Sequence, residues 1–165
     1  SDGVDDPTMD WAAYTDSFTN EMHERPTIQE WVDETVNEVL AKSPRRVVEM
    51  GCGKGMILFK VAGAPCVSEY VGCDLSRMAI KHVERVFRSH VATEASGVSC
   101  ALSTHVRDAS NFSGLADGAF DAILFDAFPN DDDALVDARM ANATTMAVKE
   151  IVHPRGWWLR IGRFQ

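Results

Sequence analysis

The sequence predicts an open, doubly wound α/β domain, and three observations carry that prediction. Short apolar runs alternate with amphipathic stretches at the pace of strand–helix–strand units. The apolar runs are largely continuous rather than alternating, as expected of strands buried on both faces of a parallel sheet. A glycine-rich turn, Gly51-Cys52-Gly53-Lys54-Gly55, joins the first such run to a helix-compatible stretch beginning at Met56.

At 165 residues the chain has the length of one domain, enough to bury roughly two-thirds of its unfolded surface. Its 45% hydrophobic and 25% charged content is that of an ordinary globular protein. No apolar run approaches the ~20 residues of a membrane span, and the acidic start does not read as a secretory signal. A net charge of −9 and a pI near 4.9 argue against phosphate-backbone binding, so nucleic acid is not an expected partner. Cys52, Cys66, Cys73 and Cys100 form no Cys-x-x-Cys pair, and His23, His82, His90, His105 and His153 are scattered, so no metal site is expected. Unpaired thiols fit a reducing compartment, and the expected location is cytoplasmic.

The elements follow in order. Residues 1–26 are polar and acidic, with Gly3, Pro7 and Pro26 as breaks and aromatics at Trp11, Tyr14 and Phe18, and are expected to form a lead segment or lid. The domain proper is expected over residues 27–165. Thr27-Ile28-Gln29-Glu30 reads as a capping box, with Thr27 as N-cap. Ile28, Trp31, Val32, Thr35, Val36, Val39 and Leu40 then make one apolar stripe at helical spacing, ended by Pro44. Another helix is expected from Ser76, a plausible N-cap, through Ala79, Ile80, Val83, Val86 and Phe87, and a later one through Leu135, Val136, Met140, Ala143, Ala147 and Ile151. Strands are expected at Val47–Met50, Tyr70–Cys73, Ala101–Val106, Ala119–Phe125 and Trp157–Ile161, with His153-Pro154-Arg155-Gly156 as a turn before the last.

In such a sheet the ligand lies at the carboxyl ends of the strands. Glu49 precedes the glycine turn, Asp74 ends the second strand, Asp108 and Ala109 follow the third, and Asp126 follows the fourth. A lone Asp at a strand end is often a turn or cap residue; acids after four successive strands point to a nucleotide-type ligand. Asp74 suits a ribose diol, which a carboxylate accepts in bidentate fashion, and Asp108 suits an exocyclic amine. Lys54 is not placed as in a phosphate-binding loop, and the glycines lack the Gly-x-Gly-x-x-Gly spacing of a pyrophosphate site. Glu49 would repel phosphate and favour a ligand bearing an ammonium group. The glycines themselves are expected to let the ligand lie against bare backbone and its N–H groups.

Glu-Met-Gly-Cys-Gly-Lys-Gly, Val-Gly-Cys-Asp-Leu-Ser and Arg-Asp-Ala-Ser together resemble the class I S-adenosylmethionine-dependent methyltransferases over residues 27–162. More narrowly, the run from Ile28 to Val36, the run from Gly55 to Ala62, Tyr70 to Ser76 and Asp108 to Phe112 are similar to the methyltransferase domains of nonribosomal peptide synthetases. The resemblance implies a Rossmann-like, mostly parallel sheet with helices on both faces and S-adenosylmethionine as cofactor. It implies that Gly51, Cys52, Gly53 and Gly55 form the turn along the methionine part, with Glu49 nearby. Asp74 would hold the ribose, Leu75 would pack on the adenine, Asp108 and Ala109 would meet its edge, and Phe125 and Asp126 would lie near the sulfonium. The implied acceptor is a small or carrier-bound metabolite, methylated on nitrogen or oxygen.

The chain departs from that pattern in two places. Asp126-Ala127-Phe128-Pro129-Asn130 replaces the usual run after the fourth strand, and Gly162-Arg163-Phe164-Gln165 replaces the usual Gly-Asp-Val-Arg. No sequence remains for the family's final β-hairpin, so an exposed sheet edge covered by a partner or a second copy is expected. Asp126 is the best-placed residue to orient or deprotonate an acceptor, although it serves equally well as a cofactor contact or turn cap, and no catalytic residue is assigned. Two other readings compete. One is a domain that binds the cofactor without catalysis. The other is an aminopropyltransferase, whose pattern Phe120-Asp121-Ala122-Ile123-Leu124-Phe125-Asp126-Ala127-Phe128 resembles.

Overall fold

The structure, a computed structural model, describes residues 6–11, 21, 24–109, 111–115, 119–125 and 152–160. Its elements are α1 (Arg25–Leu40), β1 (Arg46–Met50), α2 (Met56–Ala62), β2 (Glu69–Asp74), α3 (Arg77–Val86) with a π-helical turn at Phe87–Val91, β3 (Ala101–Val106), β4 (Phe120–Phe125) and β5 (Val152–Arg160). The strands form one parallel sheet in the order β3-β2-β1-β4-β5. Strand order reverses beside β1, which places a switch point between β1 and β4 at their carboxyl ends. This is the Rossmann-like parallel architecture expected from the sequence. The helix expected over Leu135–Ile151 lies outside the described residues.

Alternate residues of the central strands feed two apolar clusters, as the period of two along a strand dictates. Val47, Tyr70, Ala122 and Leu124 face α1, α2 and α3, while Val48, Met50, Val71, Cys73 and Ile123 face the opposite side, where Phe112 and Leu115 cover them. β1 and β2 are buried along nearly their whole length, as continuous apolar runs should be. β3 is different. It borders the described sheet, and its residues alternate between exposed and half-buried, so the expectation of burial on both faces fails there.

Two boundaries also differ from expectation. α1 begins at Arg25 rather than after a Thr27 cap. Glu24 occupies the N-cap position without a side-chain cap, and Pro26 sits in the first turn. Proline's fixed φ suits that turn, where no N–H is needed, so it outcompetes the capping box as a start signal. β5 begins at Val152, so Pro154-Arg155-Gly156 lies inside the strand rather than in a turn before it. The register jumps from Phe120↔Val152 to Ala122↔Trp157, and this irregularity accommodates a proline that cannot donate to the ladder. The Ser76 cap is as expected, its hydroxyl accepting from the Ala79 N–H at 3.2 Å.

The described part of the lead segment is packed against the body. Met9 is buried in the α1–α2–α3 cluster, Asp10 pairs with Lys54 at 3.2 Å, and the His82 Nε2–H donates to the Pro7 carbonyl at 3.1 Å. Arg25 stacks over the Trp11 ring at 5.3 Å. Tyr14, Phe18 and His23 of the lead segment lie outside the described residues. Among the described residues no helix is long and apolar enough to cross a membrane.

Candidate functional site

The register aligns the carboxyl ends of β1, β2 and β3, pairing Met50 with Cys73 and Asp74 with Val106, and that of β4 beside them, pairing Met50 with Phe125. The loops that follow therefore emerge along one edge. The turn after β1 is built on glycines in the left-handed region, with φ of 84° at Gly51, 53° at Gly53 and 89° at Gly55. At Gly55 a Cβ would stand 2.9 Å from Phe59 Cζ and 3.1 Å from Val83 Cγ2, so the residue is glycine for packing as well as for φ. At Gly53 a Cβ would meet nothing within 4 Å. Backbone is bare there.

Four of the turn's N–H groups are not offered outward, contrary to the expectation drawn from the glycines. Gly51 and Cys52 both donate to the Cys73 carbonyl, at 2.7 and 2.9 Å, and Gly55 donates to the Cys52 carbonyl at 3.0 Å. Gly53 donates to Asp74 Oδ2 at 2.8 Å. A loop with these amides turned inward is no anion nest. That observation joins the acids in disfavouring a phosphate and fits a ligand that carries none.

Asp74 bridges the two loops. Its Oδ2 takes the Gly53 N–H and its Oδ1 takes the Ser76 N–H at 2.8 Å. Each carboxylate oxygen has a second lone pair, so the half-buried group can still accept from a ligand diol. Beside it Leu75 is 69% exposed and Met78 is 78% exposed. Together with Val106 at 44%, these are the exposed large hydrophobic residues among those described, and Leu75 and Val106 sit at the strand ends where a flat apolar ring would be received. Asp108 is exposed and Ala109 half-buried in the loop after β3. Arg107 braces that loop by donating from Nη1 to the carbonyls of Ser113 at 2.6 Å and Asn111 at 3.3 Å. Asp126 lies outside the described residues, although the β4 backbone ends at Phe125, next to Met50.

Glu49 is 1% exposed and the Tyr70 hydroxyl donates to its Oε2 at 2.7 Å. Tyr70 is itself fully buried. Burial, reinforced by Glu49, holds the Tyr70 phenol well above its ordinary range, so it stays a donor. Burial also pushes the Cys52 thiol well up, and Cys73 and Cys100 to about 11. All four cysteines are free thiols, and these three are too reluctant to ionise to act as nucleophiles. Among the described residues no cluster of His, Cys, Asp or Glu is arranged to hold a metal.

Three contributors escaped sequence reasoning. Tyr70 and Arg107 stood inside recognised runs, but the runs did not show their partners, Glu49 on the neighbouring strand for Tyr70 and the carbonyls of Asn111 and Ser113 in its own loop for Arg107. Gly72 stood inside a recognised run, yet its reason is tertiary: a Cβ there would lie 2.7 Å from Leu58 Cδ1 and 3.4 Å from Cys52 Sγ. A groove of about 540 Å3 lined by Glu84, Phe87, Arg88, Leu102 and Thr104 runs beside the β3 flank rather than along the strand ends.

A family model described as a methyltransferase domain matches residues 22–145. The chain is 31% identical over 127 residues to chondramide synthase of Chondromyces crocatus, covering 77% of this chain and 3% of that protein. It is 30% identical over 100 residues to a nonribosomal peptide synthetase of Emericella nidulans, covering 59% of this chain and 4% of the synthetase. The chain thus spans a small fraction of the curated relatives it matches. Among solved structures, the N-methyltransferase NodS from Bradyrhizobium japonicum WM9 superposes with a TM-score of 0.61 at 20% identity, over 83% of this chain and 68% of that one. An S-adenosylmethionine-dependent methyltransferase from Clostridium acetobutylicum gives 0.58 at 17% identity, over 80% and 49%. At these identities the structural likeness speaks for the fold.

Proposed function

The chain belongs to the methyltransferase-domain family, and from that premise we propose that it uses S-adenosylmethionine to methylate a nitrogen or oxygen of a small or carrier-bound metabolite. The observation that supports the site reading best is the glycine turn with its amides turned inward beside Asp74. It leaves room for close approach of a ligand while keeping the amides of Gly51, Cys52, Gly53 and Gly55 from a phosphate. In this reading Asp74 accepts from the ribose hydroxyls, Leu75 and Ala109 flank the adenine, and Asp108 accepts from its exocyclic amine. Gly51, Cys52 and Gly53 pass their backbone along the methionine part, Gly55 closes the turn, and Glu49 answers the ammonium group.

The bound cofactor would supply an electrophilic methyl group on a sulfonium, displaced in line with the neutral thioether as leaving group. The chain's work is positional, and holding two reactants aligned is by itself worth several orders of magnitude in rate. Asp126, following β4, is the residue we place nearest the acceptor, where it orients an N–H or O–H or takes its proton. The synthetase relatives lend support to a carrier-bound acceptor among the candidates.

Calorimetric titration of the purified chain with S-adenosylmethionine and S-adenosylhomocysteine tests the reading. Both are expected to bind, and Asp74→Ala is expected to weaken both by about tenfold or more, the worth of charge-assisted hydrogen bonds. Failure of either ligand to bind, or an unchanged affinity in the variant, refutes the assignment. Methyl transfer to aminoacyl pantetheine thioesters then tests the acceptor class, and the decarboxylated cofactor with a polyamine tests the aminopropyl alternative.

A further inference from the structure

We infer that Tyr70 is a positioning residue for the cofactor: its hydroxyl holds the buried Glu49 carboxylate charged and oriented, so that the pair selects adenosine thioethers carrying an amino-acid ammonium over those that lack one. The inference rests on the cofactor reading above and extends it to a residue to which that reading gives no role.

The geometry begins with register. Val47 pairs with Tyr70 and Glu49 with Gly72, so Tyr70 and Glu49 stand diagonally on the same face of adjacent strands. Gly72, directly opposite Glu49, has no side chain, and Leu58 and Cys52 close over it. Tyr70 therefore leans toward the carboxyl end of the sheet and meets Glu49 at 2.7 Å, the length of a charge-assisted O–H···O bond. Both side chains are buried, at 0% and 1% exposure, within or beside the apolar cluster that includes Val47, Leu58 and Val61. A carboxylate in such surroundings keeps its charge only if donors compensate for lost water.

The charge is felt where the ligand would lie. Burial does most to raise the proton affinities of Cys52 in the glycine turn and of Cys73 at the end of β2, and Glu49 and Asp74 add to it at both. Arg107 opposes this at Cys73. The root of the glycine turn is thus electronegative, with thiols that stay neutral and a phenol that donates. An ammonium group brought there gains most from the carboxylate, and a ligand without one gains nothing.

Titrating S-adenosylhomocysteine and 5′-methylthioadenosine against the wild-type chain, Tyr70→Phe, Glu49→Gln and Asp74→Ala tests this. The two ligands share the adenosine thioether and differ in the amino-acid tail. Tyr70→Phe is expected to weaken S-adenosylhomocysteine by about ten- to a hundredfold, the worth of one hydrogen bond to a charged group, and 5′-methylthioadenosine by less than about twofold. Glu49→Gln keeps an acceptor for Tyr70 but removes the charge, and is expected to show the same bias. Asp74→Ala should weaken both ligands alike. Equal loss on both ligands in Tyr70→Phe, or no loss on either, overturns the inference while leaving the cofactor reading standing. No binding of either ligand to the wild type overturns the reading itself. Should Tyr70→Phe fail to fold by circular dichroism, Glu49→Gln decides, and an unbiased effect there overturns the inference.

Discussion

Gly53 and Gly55 stand two residues apart with the same sign of φ, yet the physical demands on them differ. A side chain at Gly55 meets Phe59 and Val83 as well as backbone strain. At Gly53 only the strain at φ of 53° applies, since the space in front is open. Gly55→Ala is therefore expected to cost about 2–4 kcal/mol of stability, as left-handed strain and overpacking add. Gly53→Ala is expected to cost about 1–2 kcal/mol but to weaken the cofactor, because the added methyl occupies bare backbone facing the site. Urea unfolding and cofactor titration on both variants check this, and the reverse ranking in either measurement refutes it. The glycine spacing, Asp74 and the Ser76 cap were legible in the sequence because each acts locally. The roles of Tyr70, Gly72 and Arg107 were not, because the runs that contain them do not show which groups they meet: Glu49 and Leu58 lie on other elements, and the carbonyls that Arg107 holds depend on how its loop turns.

At the scale of elements, legibility followed the number of neighbours. β1 and β2, paired on both sides, read clearly from unbroken apolar runs, whereas β3 alternates because it has a neighbour only in β2 among the described strands. α1 misled at its start, since Pro26 overrides a plausible capping box. The lead segment docks on α3 through His82, whose pKa is lowered first by burial, then by Arg85 and Lys54, against the raising effects of the Pro7 carbonyl and Asp10. A histidine with a folded pKa below its ordinary 6.5 is better protonated in the unfolded chain. Its contribution is complete above that value and is lost as the pH falls through 6.5 toward the folded pKa. Melting temperature is accordingly expected to drop between about pH 7 and pH 5, and His82→Gln, which titrates in neither state, to reduce that drop. Identical profiles for the two proteins would refute the assignment.

Across the whole molecule, the two ends of the sheet carry different burdens. The carboxyl ends hold the glycine turn, Asp74, the loop after β3 and the apolar side chains of Leu75 and Met78. At the opposite end the contacts close the sheet on itself. Asp121 Oδ2, at the start of β4, accepts the N–H groups of Arg45 and Arg46 at 2.9 Å each, joining segments 75 and 76 residues apart. Ser68 and Glu69 donate to the Arg45 carbonyl, and Arg46 pairs with Glu69 at 2.7 Å. The ion pair is 40% and 32% exposed and contributes little, while the bonds to Asp121 tether the entry of β4 to that of β1. The sequence offered Asp121 only as part of an apolar run, because a structural carboxylate looks the same as a functional one until its partners are known. Asp121→Ala is expected to cost about 1–3 kcal/mol of unfolding free energy by removing an acceptor shared by two backbone donors. It should leave cofactor affinity within about twofold, since sites at opposite ends of a rigid sheet with no shared partners combine additively. Chemical denaturation and calorimetry on one preparation separate the two effects. A tenfold loss of affinity in Asp121→Ala would show that the far end of the sheet also sets the geometry of the glycine turn.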